Sequence, residues 1–214
     1  MILSDVKGFY ELYYIAKFKH ANFPPRQGYN SKREYAVVQG PLPATVNDFW
    51  RLVWEQKARA IVMLTKCVEM GKDKCECYWP VDKQPMYYGD LKVVVFNVTK
   101  STDWVVTTIE VSMGINSHKL SHYQFTAWPD VGVPEEPQSF VGFVRLVRRN
   151  LESSGSPIVV HGSAGVGRSG TFIVLDRLIQ HVEEHDWLDV YSTVAQMRLF
   201  RMFMVQTEVG IHAV

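Results

Sequence analysis

The run Ile158-Val159-Val160-His161-Gly162-Ser163-Ala164-Gly165-Val166-Gly167-Arg168-Ser169-Gly170-Thr171-Phe172 has the make-up of an anion cradle. An apolar, β-branched stretch ends in a loop of mostly small residues: Gly162, Ser163, Ala164, Gly165, Val166 and Gly167. Such a loop lets successive backbone N–H groups turn toward one point, and a helix starting just beyond it adds partial positive charge there. Arg168 contributes a fork of donors matched to two phosphate oxygens. The chemistry is retention of a phosphate or sulfate group. The competing reading is a plain glycine-rich turn with Arg168 solvated. It is the weaker one, because such turns rarely place Arg-Ser at the start of a helix.

Read from Gly162, the same loop spells G-x-x-x-x-G-R-S, close to the nucleotide-binding G-x-x-x-x-G-K-[ST] pattern. A nucleotide hydrolase would need a later apolar strand ending in an acidic residue to hold magnesium. No such strand follows, and Asp176 falls inside the next helical run.

The cradle needs a strand before it, a helix after it and a sheet to hold both. Ile158–His161 reads as that strand and Thr171–His185 as that helix. Further strands are expected at Glu34–Gln39, Ala60–Thr65, Leu91–Val98, Val105–Val111 and Lys119–Phe125. Helices are expected over about 46–59, capped by Thr45; after Pro137, where Phe140, Phe143, Val144 and Val147 share a face; and over Val190–Arg201. The expected architecture is α/β (α+β), a mixed sheet with helices on its flanks. No repeat or long linker divides the chain, so residues 1–214 read as one domain.

Composition bounds the partners. The 214 residues are 47% hydrophobic, enough for a sizeable core without disulfides. Lys+Arg 23 against Asp+Glu 22 gives a formal charge of +1. No basic field is available for nucleic acid or an anionic membrane, so any anion site is local. Cys67, Cys75 and Cys77 lack the count and spacing of a disulfide framework or a zinc site. They read as small buried hydrophobes in a reducing compartment, and no metal or cofactor is expected. No apolar run approaches the roughly 18 residues of a membrane span, and no signal peptide is read. Asn97-Val98-Thr99 is a glycosylation sequon that matters only in a secreted chain.

The stretch His161-Gly162-Ser163-Ala164-Gly165-Val166-Gly167-Arg168-Ser169-Gly170 resembles the signature H-C-S-A-G-x-G-R-[ST]-G of the tyrosine-specific protein phosphatases. It departs at one place: Gly162 stands where that family has its cysteine nucleophile. Other segments follow in the family's order. They are Gln39-Gly40-Pro41-Leu42-Pro43 with Asp48-Phe49-Trp50, then Lys74-Cys75-Glu76-Cys77-Tyr78-Trp79-Pro80. Phe125-Thr126-Ala127-Trp128-Pro129-Asp130 with Gly132-Val133-Pro134 comes next, and Val205-Gln206-Thr207-Glu208 closes the series. The match runs from about Gly28 to Glu208 and is nearest to the receptor-type branch. It implies a cysteine-phosphatase fold with a twisted mixed sheet, incomplete at both termini, and a divergent stretch over 1–27.

The resemblance also implies roles. Asp130 would be the general acid, on a loop with Trp128, and Arg168 would bind the phosphoryl oxygens together with the backbone of Gly162–Gly167. Ser169 would assist a departing thiolate, and Gln206 would position water. Glu69 would orient Arg168, Lys74 would contact the acid loop and His161 would bond the loop backbone. The implied partner is a phosphotyrosine-containing protein or peptide. The implied setting is cytoplasmic, with membrane association only through a parent receptor.

Several departures accompany this. Gly162 carries no nucleophile, and Ser163 is one place late and poorly activated at neutral pH. Val131 replaces the usual histidine, and a second water-positioning glutamine would fall at Gly210. No K-N-R-Y motif occurs in residues 1–34, where Tyr13-Tyr14 is only an aromatic pair. The usual D-Y-I-N-A segment is reduced to His20-Ala21-Asn22-Phe23. The expectation is a phosphatase-like module that recognises phosphotyrosine and has lost catalysis. The alternatives are an active phosphatase in which position 162 is cysteine in the functional product, and a fragment that folds poorly.

Overall fold

A computed structural model describes residues 34–82, 84–129, 132–134, 136–151 and 156–207. The expectations placed on residues 1–33, Asp130, Val131, Glu208 and Gly210 lie outside that set. The strands are β1 (Tyr35–Val38), β2 (Ala60–Met63), β3 (Val68–Glu69), β4 (Lys72–Asp73), β5 (Met86–Tyr88), β6 (Leu91–Lys100), β7 (Trp104–Met113), β8 (Asn116–Phe125) and β9 (Ile158–His161). The helices are α1 (Val46–Glu55), α2 (Pro137–Arg149), α3 (Gly167–Val182) and α4 (Val190–Phe200).

Seven of the strands form a mixed sheet in the order β1-β9-β2-β8-β7-β6-β5, and β3 pairs with β4 in a small separate ribbon. β1, β9, β2 and β8 run parallel, while β8, β7, β6 and β5 are antiparallel. Parallel strands need covered faces, and the sequence provides for that. In β1, Tyr35 and Val37 face α2, α3 and α4, while Ala36 and Val38 face α1. In β2, Ala60 and Val62 take the first face, and Ile61 and Met63 the second. The period-two pleat thus splits one run of apolar residues between two cores.

Element boundaries differ from the sequence reading where local chemistry intervenes. The first helix ends at Glu55 rather than near residue 59: Lys57 adopts φ 50°, and Ala58 N–H donates to Val53 O at 3.0 Å. Thr45 does stand at the cap position, but its Oγ1 accepts from Leu42 N–H at 2.9 Å instead of from a helical N–H. The helix after the cradle spans Gly167–Val182 rather than Thr171–His185, so Arg168 and Ser169 lie in its first turn. Strands β3, β4 and β5 are only two or three residues long, too short to leave a pattern in the sequence. Among the described residues no helix is long and apolar enough to cross a membrane.

A buried ionic cluster joins three elements behind the cradle. Asp176 on α3 is 2% exposed. It accepts from Arg148 Nε–H of α2 at 3.0 Å, from Arg148 Nη2–H, from Tyr35 O–H of β1 and from Gln180 Nε2–H at 3.2 Å. Arg148 also pairs with Glu34 at 2.5 Å. Burial raises the Glu34 pKa against the lowering pull of Arg148. Removing one member of such a cluster leaves an uncompensated buried charge. Asp176→Asn is expected to cost about 3 kcal/mol of folding stability. The urea unfolding midpoint measures this, and an unshifted midpoint would show the cluster to be energetically idle.

Candidate active site

The cradle forms at the carboxyl ends of β9 and its parallel neighbours. Residues 162–166 leave β9 and rise into α3, whose N-terminal Val166 offers no side-chain cap. The first N–H groups of a helix without such a cap are available to an anion. An open cavity of about 380 Å³ sits there. The loop residues Gly162 to Arg168 line it from below, with Glu69, Lys74, Trp128, Val133, Thr171 and Gln206 around the rim.

Two glycines fix this shape. Gly165 has φ +68°, and a Cβ there would lie 2.1 Å from Val38 O. A Cβ on Gly170 would lie 2.3 Å from Val205 N, because the segment after α4 passes directly over the first turn of α3. That segment is strained. Val205 is fully buried, β-branched and held at φ 53°, where such residues are rarely found. Arg198 holds it there, donating to Met204 O at 3.0 Å and to Val205 O at 2.8 Å. Arg201 Nη2–H reaches Ala164 O at 3.2 Å, tying α4 to the cradle. Gln206 is thereby set against the loop, its Oε1 3.5 Å from where a Cβ of Gly167 would be.

Arg168 is held by four acceptors. Nη1–H groups donate to Glu69 Oε1 at 2.6 Å and Leu64 O at 3.0 Å. Nη2–H groups donate to Glu69 Oε2 at 2.9 Å and Pro129 O at 3.1 Å. The guanidinium carbon also lies 5.5 Å from the Trp128 ring centroid. Nε–H is then the donor that no described residue takes up. Glu69 is 5% exposed and also accepts from Thr65 Oγ1–H at 2.9 Å and Lys66 N–H at 3.1 Å. Burial opposes its charge, but the bonds from Arg168, Lys66 and Thr65 outweigh that and lower its pKa. Trp128 is anchored by its indole N–H to Gly132 O at 3.1 Å and packs edge-on against Phe140.

Below the cradle lies a buried relay that the sequence reading does not contain. His161 Nδ1–H donates to Gly162 O at 3.0 Å. Burial lowers the His161 pKa to about 4, so the ring is neutral and its Nε2 is an acceptor. Tyr78 O–H donates to that nitrogen at 2.7 Å, and the Tyr78 oxygen accepts from His122 Nε2–H at 2.8 Å. His122 is likewise neutral, lowered to about 3 by burial and by His161. The signal available in the sequence is His122 itself, a titratable residue on the inward side of a strand.

Gly162 is the conspicuous position. A Cβ built there meets only Arg168 Cβ and Ser169 Oγ, both at 3.8 Å, which is ordinary contact. Ser169 Oγ is fully buried and has no hydrogen-bond partner among the described residues. The floor of the cradle thus holds an unused hydroxyl beside the space of one absent side chain.

The structure therefore brings together Arg168, Glu69, Lys74, Trp128, His161, Ser169, Gln206 and the loop from Gly162 to Gly167. Asp130 is outside the described residues. Asp176 lies on α3, in the ionic cluster with Arg148 and Tyr35. Among the described residues no group of three or more His, Cys, Asp or Glu is arranged to hold a metal ion.

The family model described as protein-tyrosine phosphatase matches residues 11–213. The chain is 45% identical over 210 residues to the human receptor-type tyrosine-protein phosphatase eta, covering 96% of this chain and 16% of that protein. It is 45% identical over 195 residues to the human receptor-type tyrosine-protein phosphatase H, covering 88% and 17%. It is 43% identical over 180 residues to the human phosphatidylinositol phosphatase PTPRQ, covering 84% and 8%. The chain spans less than a fifth of the length of these curated relatives.

Proposed function

This chain belongs to the protein-tyrosine phosphatase family and is homologous to its receptor-type members. From that premise we propose that it recognises phosphotyrosine-bearing protein without turning it over. The observation that carries the reading is an intact cradle lined by Arg168 with only hydrogens on the α-carbon of Gly162.

Hydrolysis through a covalent intermediate requires a nucleophile in line with the leaving oxygen. Neighbouring hydroxyls serve poorly. Ser169 Oγ is buried, and Thr171 Oγ1–H is committed to Gly167 O at 3.2 Å. An unactivated hydroxyl also attacks far more slowly than a thiolate at neutral pH. Retention of the ester is a different matter. The helix N-terminus, the loop N–H groups and Arg168 remain, and the negative charge of a thiolate is missing. At ~4 Å and an effective dielectric of ~20, relief of that repulsion is worth on the order of a few kcal/mol to a bound dianion.

On this reading Arg168 offers its Nε–H to the phosphoryl group while Glu69 holds other donors of the guanidinium. Asp130 would face the leaving oxygen, and Gln206 would order water that has no intermediate to attack. The partner is a phosphotyrosine protein, and the setting is the cytoplasmic part of a receptor. A second reading, hydrolysis by a form with cysteine at position 162, is favoured by the space around Gly162 and by the partnerless Ser169 hydroxyl.

Calorimetry with a phosphotyrosine peptide tests the first reading. Binding is expected for the unaltered chain, and Arg168→Ala is expected to weaken it by about 100-fold. Absence of heat at millimolar peptide would refute recognition. Turnover of an aryl phosphate that disappears in Arg168→Ala would refute the loss of catalysis.

A further inference from the structure

The turn between β6 and β7 reaches the segment that carries Trp128 and Pro129. Asp103 is the half-buried last residue of that turn, just before β7. Its backbone carbonyl accepts from Thr126 N–H at 2.7 Å and from Ala127 N–H at 3.3 Å, directly after β8 ends at Phe125. Its carboxylate Oδ2 accepts from Ser139 Oγ–H at 2.5 Å, in the first turn of α2. One residue therefore bonds both ends of the connection from β8 to α2.

The first turn of α2 has a use for that carboxylate. It carries no acidic residue of its own, and Glu136 at the cap position makes no side-chain bond. An acidic group brought from another element supplies the negative charge that a helix N-terminus favours. The turn itself is fixed in place. Ser101 N–H donates to Trp104 O at 2.9 Å, and Trp104 pairs with Phe125 in the sheet. The Trp104 ring lies 6.1 Å from that of Phe143 on α2.

The clamped connection bears directly on Arg168. The Pro129 carbonyl accepts from Arg168 Nη2–H at 3.1 Å, and the Trp128 ring centroid lies 5.5 Å from the guanidinium carbon. Trp128 packs edge-on against Phe140, the residue after Ser139, with ring centroids 4.9 Å apart. Both contacts to the arginine thus come from backbone that Asp103 holds.

We propose that Asp103 is a positioning residue for the anion site: its carbonyl and carboxylate clamp the two ends of the β8–α2 connection, and so hold the Pro129 carbonyl and the Trp128 ring against Arg168. The clamp stands on the hydrogen bonds alone, and only its effect on a bound phosphate rests on the reading of the cradle as a phosphotyrosine site. A guanidinium already fixed in one orientation surrenders less freedom when an anion arrives.

The test uses the whole chain and the variants Asp103→Ala, Asp103→Asn and Ser139→Ala, read by amide hydrogen exchange and by NMR of the guanidinium. In Asp103→Ala, exchange at Thr126 and Ala127 is expected to quicken by about tenfold more than exchange in β9. Rotation of the Arg168 guanidinium, slowed by its four acceptors, is expected to quicken in the same variant. Ser139→Ala is expected to reproduce both changes, and the double alanine variant to add nothing to either single one. Asp103→Asn keeps an oxygen that can accept from Ser139 and is expected to restore most of the unaltered behaviour. Inorganic phosphate is expected to bind Asp103→Ala about fivefold more weakly than the unaltered chain. Unchanged exchange at Thr126 and Ala127, equal acceleration over all elements, or additive effects of the two alanine variants would overturn the proposal. So would an Arg168 signal indifferent to the variants, or equal phosphate affinity with and without the Asp103 carboxylate. Failure of the unaltered chain to bind phosphate would overturn the reading of the cradle instead, and exchange and the arginine signals would then judge the clamp by themselves.

Discussion

Gly162→Cys is expected to raise turnover of an aryl phosphate by about 10⁴-fold or more over the unaltered chain. The expectation rests on the condition of the surrounding site. A Cβ at position 162 meets its neighbours at ordinary contact distance, so the substitution forces no rearrangement of the loop. A sulfur on that carbon would enter the space beside Ser169 Oγ, the buried hydroxyl with no partner. It would also lie before the N-terminus of α3, where the helix dipole and loop N–H groups favour a thiolate. Arg168 is already oriented by Glu69 and by two backbone carbonyls. Steady-state hydrolysis of p-nitrophenyl phosphate checks the rate. Rapid acid quenching checks the route: a phosphorylated thiol is expected at position 162 of the variant, and no covalent adduct on the unaltered chain. Should the substituted chain fold and bind phosphate yet remain inert, the defect would lie in the acid loop or in the glutamine segment instead.

Acid is expected to weaken the fold well before the carboxylates protonate. Burial holds His161 and His122 neutral, with pKa values lowered to about 4 and about 3 against an ordinary value of 6.5. The unfolded chain therefore takes up protons first as pH falls below about 6.5. The stability tied to the neutral rings is complete above that pH and is lost progressively on the way down to the folded-state values. Between pH 7 and pH 5 each histidine contributes roughly 2 kcal/mol, or about 4 kcal/mol together, at 1.36 kcal/mol per pKa unit. Glu69 acts in a lower window. Its pKa is lowered in the folded chain, so its contribution is present above the ordinary carboxylate value of 4.5 and is lost only as pH falls beneath it. Urea denaturation at the two pH values separates these effects. A folding free energy unchanged from pH 7 to pH 5 would contradict the buried, neutral relay of Tyr78, His122 and His161.

Much of the cradle is legible in the sequence because its information is local. Residues 158–170 are contiguous, and the requirement for small residues beneath an anion leaves its mark at nearly every position of the loop. The alternating faces of β1 and β2 are concealed, since a strand covered on both sides reads as one apolar run. The start of α3 lies four residues before the expected one for a physical reason. Gly167, Arg168 and Ser169 carry no apolar periodicity, and the loop geometry rather than propensity begins the helix there. The grip of Glu69 on Arg168 joins residues far apart in the chain and is suggested only by resemblance to a family. The ionic cluster has one local sign, Asp176 within an otherwise apolar helical run, but its partners Arg148, Tyr35 and Glu34 lie elsewhere in the chain. The cysteines escape a local reading for the same reason. Their spacing excludes a framework, yet a two-strand ribbon is enough to set Cys67 O against Cys75 N–H at 3.3 Å.

The contrast among the glycines of the cradle bears on how this chain could change over generations. At positions 165 and 170 any side chain runs into backbone, so an altered codon there is a defect of folding that selection removes. At position 162 the floor is open, and glycine and cysteine codons can differ by a single base. On the proposed reading, gain or loss of chemistry at that place is a single-residue step that the architecture accommodates without rearrangement.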